Sequence, residues 1–428
     1  MFTKVLGESG REAAFAKRGA SEHSLAHAEA LIASREFPKA ADLVTRLLTD
    51  DPNLGRGYYL LGTALARSGN REAASAALKT YGRFSPLEVR WQKIDEMERA
   101  GWRNRAGYER AKLLAETRQV GRALRECQRA AAIGGVEHGM VVLGVARILM
   151  DLHAAEEARE ILRGAIAAGH EPRADLAFTL GDLHRRAGRT ASARESFDKA
   201  LAADPGHFQT LIACGRLDLE DGQTDTATEF FRRASETRPD DWRPAYWLAK
   251  VAAAGGDPSQ IGRLLARAQQ LAGAVNTELL GLAGDRALAA GDAQQAGKLY
   301  LEGLKRDPES LDCAEGMQAA LLAIGDQTRA TTARARVGAI AALRESLREL
   351  GGCRCRFSDL GPGLKAAADA YAKLKLPARR QYFLTLAHAA DPTDAGALRA
   401  LADCHRADED LLFRAHYLAK LLEIEPED

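Results

Sequence analysis

Apolar residues along the chain form short helical runs, which are interrupted at regular intervals by residues that disfavour a helix. Glycine shows the interval most clearly, because five glycines are separated by 34, 34, 35 and 34 residues: Gly188, Gly222, Gly256, Gly291 and Gly325. Glycine adopts positive φ without strain and commonly ends a helix. The pattern therefore predicts paired short helices, each pair too small to bury its apolar side unaided.

Prolines repeat with the same interval. Three pairs of prolines are each separated by 34 residues: Pro52 and Pro86, Pro205 and Pro239, and Pro392 and Pro426. Because proline lacks a backbone N–H and restricts the residue before it, we expect these positions to end the second helix of a pair.

Small residues complete the repeat. Alanines recur at intervals of 34 or 35 residues within two series, Ala40 and Ala74, then Ala123, Ala158, Ala193 and Ala227. Glycine recurs at a second site, at Gly62, Gly144, Gly181, Gly215 and Gly284. Small side chains allow two helices to approach closely, so these positions predict where paired helices cross.

Composition supports an all-α fold. Hydrophobic residues make up 46% of the 428 residues and aromatic residues only 6%. The hydrophobic share is largely Ala and Leu, which suits packed helices better than a sheet of bulky β-branched residues. A chain of this length would ordinarily form two or three globular domains, unless stacked repeats share one elongated core.

These residues resemble the tetratricopeptide repeat family. The signature of Leu-Gly, Ala, Phe, Ala and Pro is matched by Leu180, Gly181, Ala193, Phe197, Ala200 and Pro205. The resemblance, to multi-repeat members of the bacterial type, implies a right-handed superhelical α-solenoid of about eleven helix-turn-helix repeats. The repeats are expected to begin near residues 21, 55, 104, 137, 174, 208, 242, 277, 311, 361 and 395.

The repeat spacing also predicts how the chain is divided. We expect an N-terminal capping segment at 1–20, a main superhelix at 21–350, a connector at 351–360 and a C-terminal repeat pair at 361–428. Residues 89–103 do not fit the period, and they predict either an extra amphipathic helix or a repeat of shifted phase.

The resemblance also implies a binding groove. In this family the first helix of each pair lines a concave surface, and the second, fifth and ninth repeat positions face the ligand. Applied to this register, the groove would contain Arg56, Tyr59, Thr63, Arg105, Tyr108, Lys112, Val141, Val145, Phe178, Ile212, Arg216, Arg243, Tyr246 and Lys250, with Asp175, Asp182 and Gln209 at neighbouring positions.

Three of these repeats present a basic, an aromatic and a polar residue in the same order, which predicts binding of an acidic or amphipathic protein segment. The alternative is that the aromatic side chains pack between adjacent first helices.

Sequence motifs for catalysis are missing. The ten histidines do not form an H-E-x-x-H pair, and the chain lacks a G-x-S-x-G elbow, a P-loop and a G-x-G-x-x-G motif. We therefore expect neither catalytic residues nor a cofactor, and we expect that the protein is not an enzyme. Cys353 and Cys355, with Cys404 and His405, are a weak candidate for zinc. We favour incidental thiols in a connector, no bound metal, and six reduced cysteines.

Charge and hydropathy limit the partners. Lys and Arg number 60 against 59 Asp and Glu, and the two signs are interleaved, so no nucleic-acid surface is expected. The start of the chain lacks the apolar region of a secretory signal, and no long uncharged apolar window occurs. We therefore expect a cytoplasmic protein that does not insert into membranes.

The last predicted helix is apolar around a wide arc, which includes Leu411, Leu412, Phe413, Tyr417, Leu418, Leu421, Leu422 and Ile424. Such a surface predicts self-association or a further domain that covers it. The leading hypothesis for function is a non-enzymatic scaffold or adaptor that binds a partner segment in the groove. The alternative is a substrate-recognition module of a larger enzyme, such as a bacterial glycosyltransferase or polysaccharide-assembly protein.

Overall fold

A computed structural model describes residues 23–134, 138–255, 258–273, 276–352, 355–405 and 411–425. Over these residues the chain forms 22 α-helices and no β-strand. The expected N-terminal capping segment lies outside the described residues. The all-α fold expected from the repeat pattern is therefore confirmed.

The helices follow one another with short turns. They are α1 (described residues 23–33), α2 (Phe37–Asp50), α3 (Gly55–Arg67), α4 (Arg71–Arg99), α5 (Arg103–Glu116), α6 (Val120–Ala132), α7 (His138–Asp151), α8 (Ala155–Ala167), α9 (Arg173–Arg186), α10 (Thr190–Ala203), α11 (Phe208–Glu220), α12 (Thr224–Thr237), α13 (Trp242–Gly255), α14 (Pro258–Ala272), α15 (Thr277–Ala289), α16 (Ala293–Arg306), α17 (Leu311–Ala323), α18 (Gln327–Gly352), α19 (Gly361–Lys373), α20 (Pro377–Ala390), α21 (Ala395–Cys404) and α22 (Leu411–Ile424). A single 3₁₀ turn, Phe357–Asp359, precedes α19.

The predicted repeat boundaries agree with the helices. Seven odd-numbered helices begin at the predicted residue, namely Gly55, Phe208, Trp242, Thr277, Leu311, Gly361 and Ala395, while α5, α7 and α9 begin one residue away. The turn glycines also behave as expected, because Gly188, Gly222, Gly291 and Gly325 have φ values of 68°, 73°, 85° and 82°. Gly256 lies outside the described residues.

The prediction that Pro86 ends a helix is wrong. Pro86 lies inside α4, which has 29 residues, and residues 89–99 continue that helix instead of forming a separate one. A proline in a helix interior costs about 3 kcal/mol. Apolar contacts offset this cost, because Leu87, Trp91 and Met97 pack around a buried cluster that contains Ile94. The other described prolines of the series, Pro52, Pro205, Pro239 and Pro392, follow the ends of helices as expected.

Paired helices interlock where an aromatic ring lies against a glycine. A Cβ atom added to Gly181 would lie 2.5 Å from the ring of Phe197, and one added to Gly215 would lie 2.6 Å from the ring of Phe231. Gly284 stands in the same relation to Tyr300, at 2.5 Å. Real Cβ atoms do not approach a ring carbon this closely, so the expected close helix crossing is confirmed at these positions.

Contacts group the described residues into two units. Unit one contains residues 23–113 and 391–425, and unit two contains the described residues of 114–390. The expected division at residues 350 and 361 does not coincide with these units.

In unit one, the last helix packs against the second. His416 Nδ1 lies 2.8 Å from the backbone oxygen of Thr49 at the end of α2. Leu412 contacts the buried cluster that α1, α2 and α3 form around Ala28, Val44 and Leu48. Helix α2 of the same chain therefore covers part of α22, and the expectation that another copy or a further domain covers the remaining apolar surface stays a prediction. Leu411 and Leu422 remain about half exposed, at 51% and 56%.

In unit two, the end of α18 docks onto the helices α8 and α9. Arg159, which is fully buried, donates a hydrogen bond to the backbone oxygen of Gly351 at 3.2 Å, and Arg189 donates to that of Gly352. The backbone N–H of Phe357 donates to Glu157 Oε1 at 2.9 Å. Two guanidinium groups thus bind the carbonyl end of α18, where cations are favourable.

Helix crossing at a glycine generates a prediction about stability. Replacing Gly215 with Ala should lower the free energy of unfolding by about 1–3 kcal/mol, because the new methyl group overlaps the Phe231 ring. Gly164→Ala is the matched control in the interior of α8, where nothing lies within 4 Å of the added Cβ. The control should raise the free energy of unfolding by about 0.5–1 kcal/mol. Urea denaturation followed by circular dichroism measures both, and shifts of the same sign would contradict the packing described.

Capping of α18 by Arg159 generates another prediction. Arg159→Met should lower the free energy of unfolding by about 2–3 kcal/mol, because the Gly351 carbonyl and the Glu156 carboxylate both lose a buried partner. Arg163→Met, one turn along α8 at an exposed position, should change it by less than about 0.5 kcal/mol. Hydrogen exchange should also become faster in the last turn of α18 for the first variant alone. Unchanged exchange there would show that Arg159 does not hold this end.

Candidate functional site

The candidate site lies on the inner side of unit two. First helices of successive repeats contact one another, namely α7 with α9, α9 with α11, α11 with α13, and α15 with α17. Over the described part of unit two, successive second helices are not among the closely packed pairs. The stack therefore curves with its first helices inside, so the second, fifth and ninth positions of these helices are the ones to examine.

Four of the predicted groove residues are buried in helix interfaces. Val141, Val145, Ile212 and Tyr246 expose only 5%, 0%, 8% and 5% of their surface. Ile212 contacts a cluster around Phe231, and Tyr246 belongs to a cluster between α13, α14 and α15. These four side chains therefore pack between helices, which is the alternative that the sequence left open.

In unit one, the predicted residues of α3 lie at the surface. Arg56 forms an ion pair with Glu29, and Nε lies 2.9 Å from Oε1. Tyr59 is 48% exposed, and its ring lies 5.4 Å from that of Tyr81. Thr63 donates its hydroxyl to the backbone oxygen of Tyr59 at 2.8 Å.

The predicted residues of α5 also reach solvent. Arg105 and Lys112 are exposed, and Tyr108 is half-buried. The Arg105 guanidinium lies 5.9 Å from the centre of the Trp102 ring, which is itself 57% exposed.

Two of the basic groove residues in unit two already have carboxylate partners. Arg243 binds Asp241 through two nitrogens, at 2.7 and 2.9 Å, and its guanidinium lies 4.7 Å from the ring centre of Phe208. Lys250 Nζ lies 3.8 Å from Asp312 Oδ2, a carboxylate on α17.

Phe178, on α9, is half-buried. Its ring stacks on that of Phe197 at 5.9 Å and lies 5.5 Å from the ring of His207. His207 Nε2 lies 3.7 Å from Asp175. His207, which precedes α11, therefore contacts the predicted second position of the α9 repeat, Asp175, as well as its fifth position, Phe178.

Arg216 differs from Arg243 and Lys250, the other basic groove residues of unit two, because no ion pair joins it to a described carboxylate. Its guanidinium lies 4.8 Å from the ring centre of Trp247, and its Nε atom is buried without a hydrogen-bond acceptor. No described carboxylate or carbonyl pairs with it. Burial lowers the pKa of Arg216, and the like charge of Arg185 lowers it further, so the surroundings disfavour its positive charge.

Asp182, a carboxylate that influences Arg216, pairs with two other arginines. Asp182 accepts hydrogen bonds from Arg185 and Arg186, each with a shortest distance of 2.7 Å. Although burial disfavours its charged form, Arg186 and Arg185 hold the pKa of Asp182 below its ordinary value. Asp182 therefore pairs with Arg185 and Arg186, and it does not form an ion pair with Arg216.

Acidic residues follow on the next two first helices. Four carboxylates occupy second, fifth or ninth positions there, namely Glu278 and Asp285 on α15 and Asp312 and Glu315 on α17. The inner side of unit two thus changes from basic at α11 and α13 to acidic at α15 and α17. These four residues and Trp247 were missed in the sequence, although extending the same register by two repeats would have found the carboxylates.

The cysteines divide into two groups. Cys355 is disulfide-bonded, so the expectation of six reduced thiols is wrong for this residue, while Cys353 lies outside the described residues. Cys127, Cys214, Cys313 and Cys404 are free. Burial raises the pKa of the Cys127 and Cys214 thiols to about 12, which makes them poor nucleophiles at neutral pH. Among the described residues, no group of three or more His, Cys, Asp or Glu side chains is arranged to hold a metal ion.

Family comparison agrees with this architecture. Sequence models described as tetratricopeptide repeats match residues 25–87, 143–208 and 184–253. The chain is a tetratricopeptide repeat protein. No curated protein matches its sequence.

Several solved structures are similar to this tetratricopeptide repeat protein. PilW, described as a widely conserved type IV pilus biogenesis factor, is 21% identical, with 55% of this chain and 97% of that chain covered and a TM-score of 0.37. A thermophilic tetratricopeptide repeat protein from Thermus thermophilus is 17% identical, with 43% of this chain and 98% of that chain covered and a TM-score of 0.36. A chain of the APC/C hetero-tetramer Cut9-Hcn1 is 13% identical, with 96% of this chain and 82% of that chain covered and a TM-score of 0.40.

Over the residues that the structure describes, none of the helices combines the length and the apolar character needed to span a membrane.

The unpaired guanidinium generates a third prediction. Arg216→Met should leave the free energy of unfolding within about 1 kcal/mol of the wild type, because losing the contact with the Trp247 ring is offset by removing an unneutralised charge. Arg159→Met, which removes a paired arginine, provides the contrast. Urea denaturation of both variants measures the difference. A loss of about 2 kcal/mol or more for Arg216→Met would mean that Arg216 stabilises the fold through a partner.

Proposed function

We propose that this tetratricopeptide repeat protein is a non-enzymatic scaffold that binds an extended segment of a partner protein along α9, α11 and α13 of unit two. Tetratricopeptide repeats are protein-interaction modules. The observation that carries the proposal is the Arg216 guanidinium, which lies against Trp247 on the inner side without an ion-pair partner among the described residues. A charged group that stays unneutralised within the fold is typical of a group that meets its partner on binding.

Binding is favoured over catalysis by the state of the reactive side chains. The Cys127 and Cys214 thiols are buried with raised pKa values. Burial lowers the pKa of His153 and His184 to about 4, so both are neutral at pH 7, and they lie near arginines that disfavour protonation further. These displaced pKa values follow from packing in the repeat interior and do not form a nucleophile and base at a surface.

The alternative function, a substrate-recognition module of a larger enzyme, was motivated by the apolar arc of α22. Helix α2 of the same chain packs against part of that arc, whereas Leu411, Leu418 and Leu422 stay exposed, so the arc does not favour an enzyme module over self-association. We therefore propose the scaffold role alone.

Site-specific photo-crosslinking tests this proposal. A benzoyl-phenylalanine at Gln209, on the inner helix α11, should capture a partner protein covalently in the native host. The same group at Thr228, an exposed position on the outer helix α12 of that repeat, should not capture it. Mass spectrometry of the adducts identifies the partner and the peptide that contacts α11.

A third position separates the two units. Tyr59, exposed on α3, reports on the predicted residues of unit one. Adducts from Gln209 with none from Thr228 are the expected result. Adducts from Thr228 alone, or from Tyr59 alone, would place binding on the outer helices or in unit one and would overturn the proposal for α9, α11 and α13.

A further inference from the structure

Resting on the function proposed above, we propose that Arg216 and Trp247 form a subsite for one carboxylate of the bound peptide. The guanidinium lies 4.8 Å from the ring centre of the indole, and its Nε atom is buried without an acceptor. Leaving one member of a buried charge pair without its partner is unfavourable, and a ligand carboxylate supplies that partner. Guanidinium groups bind carboxylates through two parallel N–H bonds, which gives both affinity and orientation.

The subsite is held in place by the packing beneath it. The Trp247 ring stacks on Phe231 at 5.9 Å and meets the edge of Tyr246 at 5.1 Å. Phe231 and Tyr246 are themselves buried. The indole therefore supports Arg216 on a rigid base, and little side-chain freedom remains to be lost when a ligand binds.

Two carboxylates of the chain compete for Arg216, and neither forms an ion pair with it. Asp182 pairs with Arg185 and Arg186. Glu220, four residues along α11, attracts Arg216 only at longer range and lies exposed at the end of the helix. A ligand carboxylate that also buries its contact surface displaces water from Arg216 more completely than an exposed glutamate does.

The surrounding charges limit the ligand to a single carboxylate at this point. Asp175 and Asp182 lie on α9, before Arg216 along the inner side, and Glu278, Asp285 and Asp312 lie on the helices after it. A run of acidic residues that continues toward α15 and α17 would place like charges against Glu278 and Asp285. The ligand class is therefore an extended peptide with one carboxylate among apolar, neutral or basic residues, which is narrower than the acidic segment expected from the sequence.

A peptide selection on the full-length protein tests this inference. Random dodecapeptides are selected on the wild type, and synthetic versions are then titrated by fluorescence anisotropy. Selected peptides should share one Asp or Glu, or a free C-terminal carboxylate, without a run of acidic residues. Amidating the C-terminus of each peptide distinguishes the two sources of the carboxylate, because only peptides bound through the terminus lose affinity.

Matched variants assign the carboxylate to Arg216. Arg216→Gln should weaken binding about ten- to a hundredfold. Removing the peptide carboxylate should weaken binding by the same factor on the wild type and cause no further loss on Arg216→Gln. Arg267→Gln, at an exposed position on the outer helix α14, and Glu220→Gln should each change affinity less than about twofold. Circular dichroism verifies that every variant is folded.

The outcomes separate this inference from the proposed function. Peptides that bind the wild type and Arg216→Gln equally well, or selected peptides with acidic runs, would overturn the carboxylate subsite while the scaffold role stands. Adducts only from Thr228 or Tyr59 in the crosslinking experiment would overturn the proposed inner-side site and the subsite with it. Arg216→Glu should shift the selection from Asp or Glu to Lys or Arg at the same peptide position, and an unchanged selection would also refute the subsite.

Discussion

The architecture of this protein depends on the contact between an aromatic ring of one helix and a glycine of its partner helix. At Gly181, Gly215 and Gly284 the ring lies so close that no methyl group fits between the helices. The rings of Phe197, Phe231 and Tyr300 are fully buried at these crossings. Because the same contact recurs at these three crossings, the angle and depth of helix packing there are set by residues of one repeat.

Contacts between distant parts of the chain add to this local arrangement. In a simple repeat stack each repeat contacts only its neighbours. Here Arg159 on α8 and Arg189 at the start of α10 bind backbone carbonyl groups at the end of α18, which lie 192 and 163 residues away along the chain. In unit one, α22 packs against α2. These contacts join segments that would otherwise be separate repeats, so the loss of one arginine is expected to affect the end of α18 and not only its own helix.

The inner side of unit two shows how such a scaffold can carry a function at some cost in stability. Arg243 and Lys250 are neutralised by carboxylates of the chain, whereas Arg216 is not. Stability alone would favour replacing an unneutralised, partly buried arginine. A binding role explains why such a residue is useful. The ion pair that Arg216 does not form in the folded chain can form with a ligand, and it then stabilises the complex.

The repeat period, the turn glycines, the helix crossings at small residues and the start of most helices were predictable from the sequence. Each of these features depends on residues within one repeat, so its pattern recurs where it can be recognised. Only the tertiary structure decided that Pro86 lies within α4, that α22 rests on α2, that Tyr246 and Val145 are buried, and that Arg216 lacks a partner. These features depend on contacts between residues far apart in the chain, or on which of several nearby carboxylates is already occupied, and no local pattern records either.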